Sequence, residues 1–158
     1  MQKPWQLAVA ELSVAGRKAE AMEILKAEME RGNLAALASY AWRAVGEELS
    51  HVEAARLVDR VEKEMEHGDV DAHLQLAIAY DMKVCSLPYD EAPMRRLHHI
   101  EQAAKHGAGA HVALAAARIW LAGALGIQPD RAKAVYWYGV AECDGSDEAR
   151  NERRKHGL

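Results

Sequence analysis

Val112-Ala-Leu-Ala-Ala-Ala-Arg-Ile-Trp120, then Gly123-Ala-Leu-Gly126-Ile127, Asp130, Lys133-Ala134, Trp137-Tyr138, Ala141 and Gly145 decide the fold of this chain. The first segment is built from Ala and Leu, strong helix formers, with no β-branched run. The two glycines break it at a turn. A second helix starts near Asp130 and stops at Gly145, where a glycine suits the left-handed residue just past a helix end. The order is helix, turn, helix, stop.

Working upstream, the same helix-to-glycine ending occurs three more times. Lys18 to Gly32, Glu53 to Gly68 and Met94 to Gly107 are each a charged helix closed by glycine, and the four glycines lie 36, 39 and 38 residues apart. Such a period is the sequence signature of a helical repeat. Arg31, His67 and Lys105-His106 precede three of the glycines, and a cation there complements the negative end of the helix. Each glycine is followed by a helix richer in Ala: Asn33 to about Val45, Asp71 to about Lys83, and His111 to Ala122. Asn33 and Asp69 are favourable N-caps. Ala72, Leu76, Ala77 and Tyr80 fall on one helical face, as do Ala36, Tyr40, Ala41 and Ala44, and Ala116, Ala117 and Trp120 repeat the end of that spacing with one residue inserted after Gly107. Pro88 and Pro93 keep the longest connection out of a helix interior. The segment from Pro4 to Ala15 reads as a lone helix, and Ser146 caps a polar terminal helix of the kind that closes a repeat array.

The expected organisation is a single all-α domain, an α-solenoid of antiparallel helix hairpins. It comprises an N-terminal helix pair at 4–31, repeats at 33–68, 69–107 and 108–145, and a C-terminal capping helix at 146–158.

Composition limits the function. The chain has 158 residues, enough for one domain with a real core, and half of them are apolar. No apolar run approaches the ~20 residues needed to cross a bilayer. Gln6 and Glu11 interrupt the apolar patch near the start, which argues against a secretory signal. Cys85 and Cys143 lack metal-type spacing, and are read as buried small residues of a reduced, cytoplasmic protein. The net charge of −4 is uneven, with twelve acids and six bases in residues 20–69. An acidic half suits a basic protein partner, and no basic stripe points to nucleic acid.

The motif residues resemble the Sel-1-like repeat family, a relative of the tetratricopeptide repeats. Gly123, Gly126-Ile127, Asp130, Lys133-Ala134, Trp137-Tyr138, Ala141 and Gly145 match the second half of its pattern. Residues 72–80 match the first half with Ala77 in place of Gly, and Ala103-Ala104 with Gly107 match its end. Arg95-Arg96 and His99-Ile100 stand where Lys-Ala and Trp-Tyr would be, and residues 33–68 follow the period more than the motif. The resemblance implies a right-handed superhelix with a concave groove. It also implies scaffolding, adaptor or regulatory protein binding, mostly in bacteria, rather than catalysis.

With the motif positions packed inside, the remaining face of each first helix projects into the groove. That face carries Ala38, Trp42 and Val45; then Asp71, Leu74, Ile78, Asp81 and Met82; then His111, Leu114, Arg118 and Leu121. Trp42 stands out because Trp is favoured at interface hot spots. Trp120 and the run Tyr136-Trp137-Tyr138 are read as core. Of the eight His, His98-His99, His106 and His111 cluster in sequence, but there is no HExxH and no Cys pair, so no metal and no cofactor are expected. Gly123 to Gly126 joins two helices rather than a strand and a helix, so it is no phosphate loop. The resulting expectation is a non-enzymatic module, monomeric or weakly dimeric, that binds a protein partner as an adaptor, regulator or toxin-neutralising immunity protein. The alternatives are a hydrolase using His or Cys, and a self-assembling scaffold.

Overall fold

The computed structural model describes residues 3–158 and is all-helical, with no strand among them. Nine helices run in order: α1 (Pro4–Val14), α2 (Lys18–Glu30), α3 (Leu34–Ala44), α4 (His51–Glu64), α5 (Val70–Asp81), α6 (Ala92–Lys105), α7 (Ala110–Ala122), α8 (Arg131–Cys143) and α9 (Asp147–Lys155). Their starts follow local chemistry. Asn33, Asp69, Asp130 and Ser146 each accept a hydrogen bond from the backbone N–H three residues on. Ser50 and Glu53 form a reciprocal capping box at α4. Pro93 lies in the first turn of α6, where a missing N–H costs nothing.

Gly32, Gly107 and Gly145 have the left-handed backbone expected past a helix end. Gly68 does not. Helix α4 stops earlier, at Glu64, with Met65 extended and the Asp69 N–H donating to the Glu66 carbonyl. The residue inserted after Gly107 is also accounted for: Gly109, at φ 99°, is the N-cap of α7.

Consecutive helices pack as α1 on α2, α3 on α4, α5 on α6 and α7 on α8, with α2–α3, α6–α7 and α3–α5 contacts joining the pairs. Alanine makes this possible: Ala36, Ala41, Ala72, Ala116 and Ala117 are fully buried, letting helix axes approach closely. Tyr80, Trp120, Trp137 and Tyr138 fill the remaining volume. Burial forms two clusters, one from α1 to the start of α6 and one from α5 to α9.

Two expectations fail here for geometric reasons. Tyr136 is 57% exposed while Trp137 and Tyr138 are buried, because adjacent helical residues point about 100° apart and three in a row cannot share one face. Cys143 ends α8 and is exposed, whereas Cys85 is buried; both are free thiols.

Candidate functional site

Two clefts open on the helices that carry the candidate groove residues. The larger, about 350 Å³, lies between α5 and α7 with α6 as its floor. Leu74, Ala77, Ile78, Ile100, Val112 and Ala115 give it an apolar lining, and Asp81, Arg96 and His111 give it a charged rim. Asp81 and Arg96 pair with each other at 3.2 Å, so the rim is locally neutral. The smaller cleft, about 170 Å³, lies between α1, α3 and α5, and shares Leu74 and Gln75 with the first. Its lining includes Trp5, Gln6, Ser39, Arg43 and Asp71.

The candidates separate on this map. Leu74, Ile78, Asp81 and His111 meet in the large cleft, and Asp71 lines the small one. Trp42 is half-buried; its indole N–H donates to Gln75 Oε1 at 3.1 Å, which fixes a residue common to both clefts. Met82 is exposed at the end of α5, and Leu121 is half-buried against the second core cluster. Arg118 points to the C-terminal helix, where Glu148 and Glu152 accept its guanidinium hydrogen bonds. Leu114 is 2% exposed and Ala38 is fully buried, so neither reaches a groove. The reason is the same for both: α3 and α7 are each flanked by helices on two or more sides, and their buried arc is wider than one face. The α6 contributions, Arg96 on the rim and Ile100 on the floor, were not legible from the first-helix pattern, since they come from a second helix.

The acids of residues 20–69 are largely matched within the molecule. Glu47 pairs with Lys18 and Glu48 with Lys26, while Glu64 pairs with Arg60 and Glu62 with Arg95. This reduces the field that a basic partner would meet.

A second polar assembly lies where α4, α5 and α6 meet, beside a cleft of about 220 Å³ that His67, Arg95 and His98 also line. His73 and His99, 4% and 2% exposed, face each other with their Nδ1 atoms 2.8 Å apart. His73 Nε2 lies 2.9 Å from the His67 carbonyl, which can only accept, so Nε2 carries the proton. In the neutral ring, Nδ1 is then the acceptor and His99 Nδ1 the donor. His99 Nε2 is left as a lone pair, 3.3 Å from Glu62 Oε1 and without a hydrogen-bond partner. A proton added there points at Glu62.

Glu62 joins the three helices. It accepts from the Tyr80 hydroxyl on α5 and pairs with Arg95 on α6 at 3.1 Å. Burial opposes its ionisation, but the neighbouring His99 ring, the Tyr80 hydroxyl and the Arg95 guanidinium outweigh burial and draw the carboxyl down to about 2. Burial, then the Glu62 carboxylate, pushes the Tyr80 hydroxyl up. Burial lowers His73, and the neighbouring histidines add to this against the His67 carbonyl. The sequence carried a signal for His73: it lies at helical spacing from Leu76, Ala77 and Tyr80, on the core face. No sequence spacing links it to His99.

Near α8, Glu101 Oε1 accepts from both the Trp120 and the Trp137 indole N–H at 2.7 Å. This explains how two Trp can be buried with their polar atoms satisfied. Among the described residues no group of three or more His, Cys, Asp or Glu is arranged to hold a metal ion, and no helix is long and apolar enough to cross a membrane. Comparison with known proteins gives no match to a family model, to a curated protein or to a solved structure.

Proposed function

We propose that this chain is an α-solenoid of the Sel-1-like type that binds a protein partner along α1, α3, α5 and α7, as an adaptor or a neutralising regulator. The observation that carries the reading is the α5–α6–α7 cleft. Its floor is apolar, its rim pair Asp81–Arg96 is already neutralised, and Ile78 at its edge is 37% exposed. An apolar floor inside a polar rim is the arrangement that excludes water around an inserted side chain. The occupant it suits is a segment of a partner presenting two or three apolar side chains. The motif order and the 36–39-residue period support the solenoid. The α3–α5 contact sets two of these helices side by side.

The test is affinity capture from the native host with the wild-type chain, Ile78→Asp, and Tyr136→Asp as a surface control away from the cleft. A specific protein retained by wild type and control but lost with Ile78→Asp, at unchanged helicity, supports the groove. Equal retention by all three places binding elsewhere.

A further inference from the structure

The small cleft contains more hydrogen-bond donors than the protein uses. Arg43 is half-buried on α3. Its Nε donates to Ser39 Oγ at 3.3 Å and its Nη1 to Ser13 Oγ at 3.0 Å, and its guanidinium stacks 4.2 Å from the Trp42 ring centre. These contacts leave N–H groups of the fork without a protein acceptor. Burial alone lowers this guanidinium from its usual range, and no acidic group of the described residues offsets the effect. Trp5 forms another wall of the same cleft. It is 9% exposed, and its indole N–H is buried without any acceptor. Buried donors are nearly always paired, so the orphaned Trp5 N–H is unusual, and it lies in the same cleft wall as the accessible free edge of Arg43.

The carboxylate already present does not fill this role. Asp71 Oδ2 pairs with Lys3 Nζ at 2.9 Å, and Asp71 Oδ1 accepts from Gln6 Nε2 at 2.9 Å. With Lys3 neutralising Asp71, the charge that remains in the cleft is that of Arg43.

We propose that this cleft binds a carboxylate, the side chain of a Glu or Asp in a partner segment lying along the groove. Arg43 takes the carboxylate through the free edge of its fork, the geometry that guanidinium recognises best. The unpaired Trp5 N–H in the same wall is the donor for the second oxygen. The volume of about 170 Å³ accommodates a carboxylate on a short methylene stem. The identity of the bearer rests on the groove reading above; the ligand chemistry of the cleft does not.

N-acetylglutamate is the probe, titrated into the full ¹⁵N-labelled chain at constant ionic strength, with N-acetylglutamine and sodium chloride as controls. The expected result is a saturable shift of the Trp5 indole N–H and the Arg43 Nε–H with N-acetylglutamate alone. Arg43→Gln should weaken that binding about tenfold or more, and Arg43→Lys should retain part of it. Trp5→Phe, which keeps an aromatic ring in the wall, should weaken it without changing the fold. No shift at either donor, or equal shifts with N-acetylglutamine, overturns the proposal. So does unchanged binding in both Arg43→Gln and Trp5→Phe, each shown to be folded by a native-like backbone amide spectrum. If the probe binds but partner capture ignores Ile78→Asp, the carboxylate site stands and the groove reading fails. If capture depends on Ile78 and the probe does not bind, the reverse holds.

Discussion

Replacing Glu62 with Gln tests whether one carboxylate joins α4 to α5 and α6. The side chain receives Tyr80, Arg95 and, when protonated, His99. A carboxyl drawn from 4.5 to about 2 corresponds to about 3.4 kcal/mol at ~1.36 kcal/mol per pH unit. The side chain is 25% exposed and lines a cleft open to solvent, so screening reduces this to about 2 kcal/mol. The sign follows from the direction of the shift. A carboxyl held low in the folded chain contributes stability that is complete above pH 4.5 and is lost as pH falls toward 2. Gln resembles the protonated acid, so it never has this contribution. Urea denaturation of wild type and Glu62→Gln, followed by far-UV circular dichroism from pH 8 to pH 2, measures the difference. The gap should be about 2 kcal/mol near neutrality and should close through the acid range. A gap that stays constant with pH, or one below about 0.5 kcal/mol at pH 7, would refute the argument that ionised Glu62 is the junction.

Glu101→Leu removes the acceptor shared by two buried indoles and should cost about 2–5 kcal/mol, with Glu101→Gln milder; urea denaturation with tryptophan emission reports both. Gly126→Ala should destabilise more than Gly16→Ala. Both have φ near 72°, but a Cβ at Gly126 would collide with the Asp90 carbonyl oxygen while Gly16 faces open space, and thermal melts of the two variants decide it. Because burial holds His73 below its usual range, the unfolded chain takes up a proton before the folded one does. His73 should therefore cost the fold stability as pH drops below about 6.5, seen as a denaturation midpoint that falls from pH 7.5 to pH 5.5 less steeply in His73→Phe.

The helices were legible because their starts and stops are local events. Asn33, Asp69 and Ser146 act as caps within three residues of themselves, and Ala72, Leu76, Ala77 and Tyr80 share a face because of helix periodicity alone. The site was legible in part. Ile78, Asp81, Leu74 and His111 could be placed on one side of two helices, and they share a cleft. Leu114 was expected on the groove face but is buried, because its burial depends on how many helices surround α7 and not on its own helix's pattern. Arg118 was read toward a groove; its partners Glu148 and Glu152 lie thirty and more positions downstream, beyond the reach of any helical spacing. The His73–His99 contact spans 26 residues, and the Glu101–Trp137 contact 36. Such pairings are products of packing, and residue type gives no register for them.

Helix α5 contributes to both burial clusters: Ala72, Leu76, Ala79 and Tyr80 belong to the N-terminal one and Ala77 to the C-terminal one. A shared wall makes the two halves thermodynamic neighbours. The chain should therefore melt as one cooperative unit only while α5 is intact, and weakening α5 should let the ends open at separate free energies. Substitutions in α2 and in α8 should then add, whereas each should couple to a substitution in α5. Fraying of α1 would reach the small cleft directly and the large one only through α5, the wall they have in common.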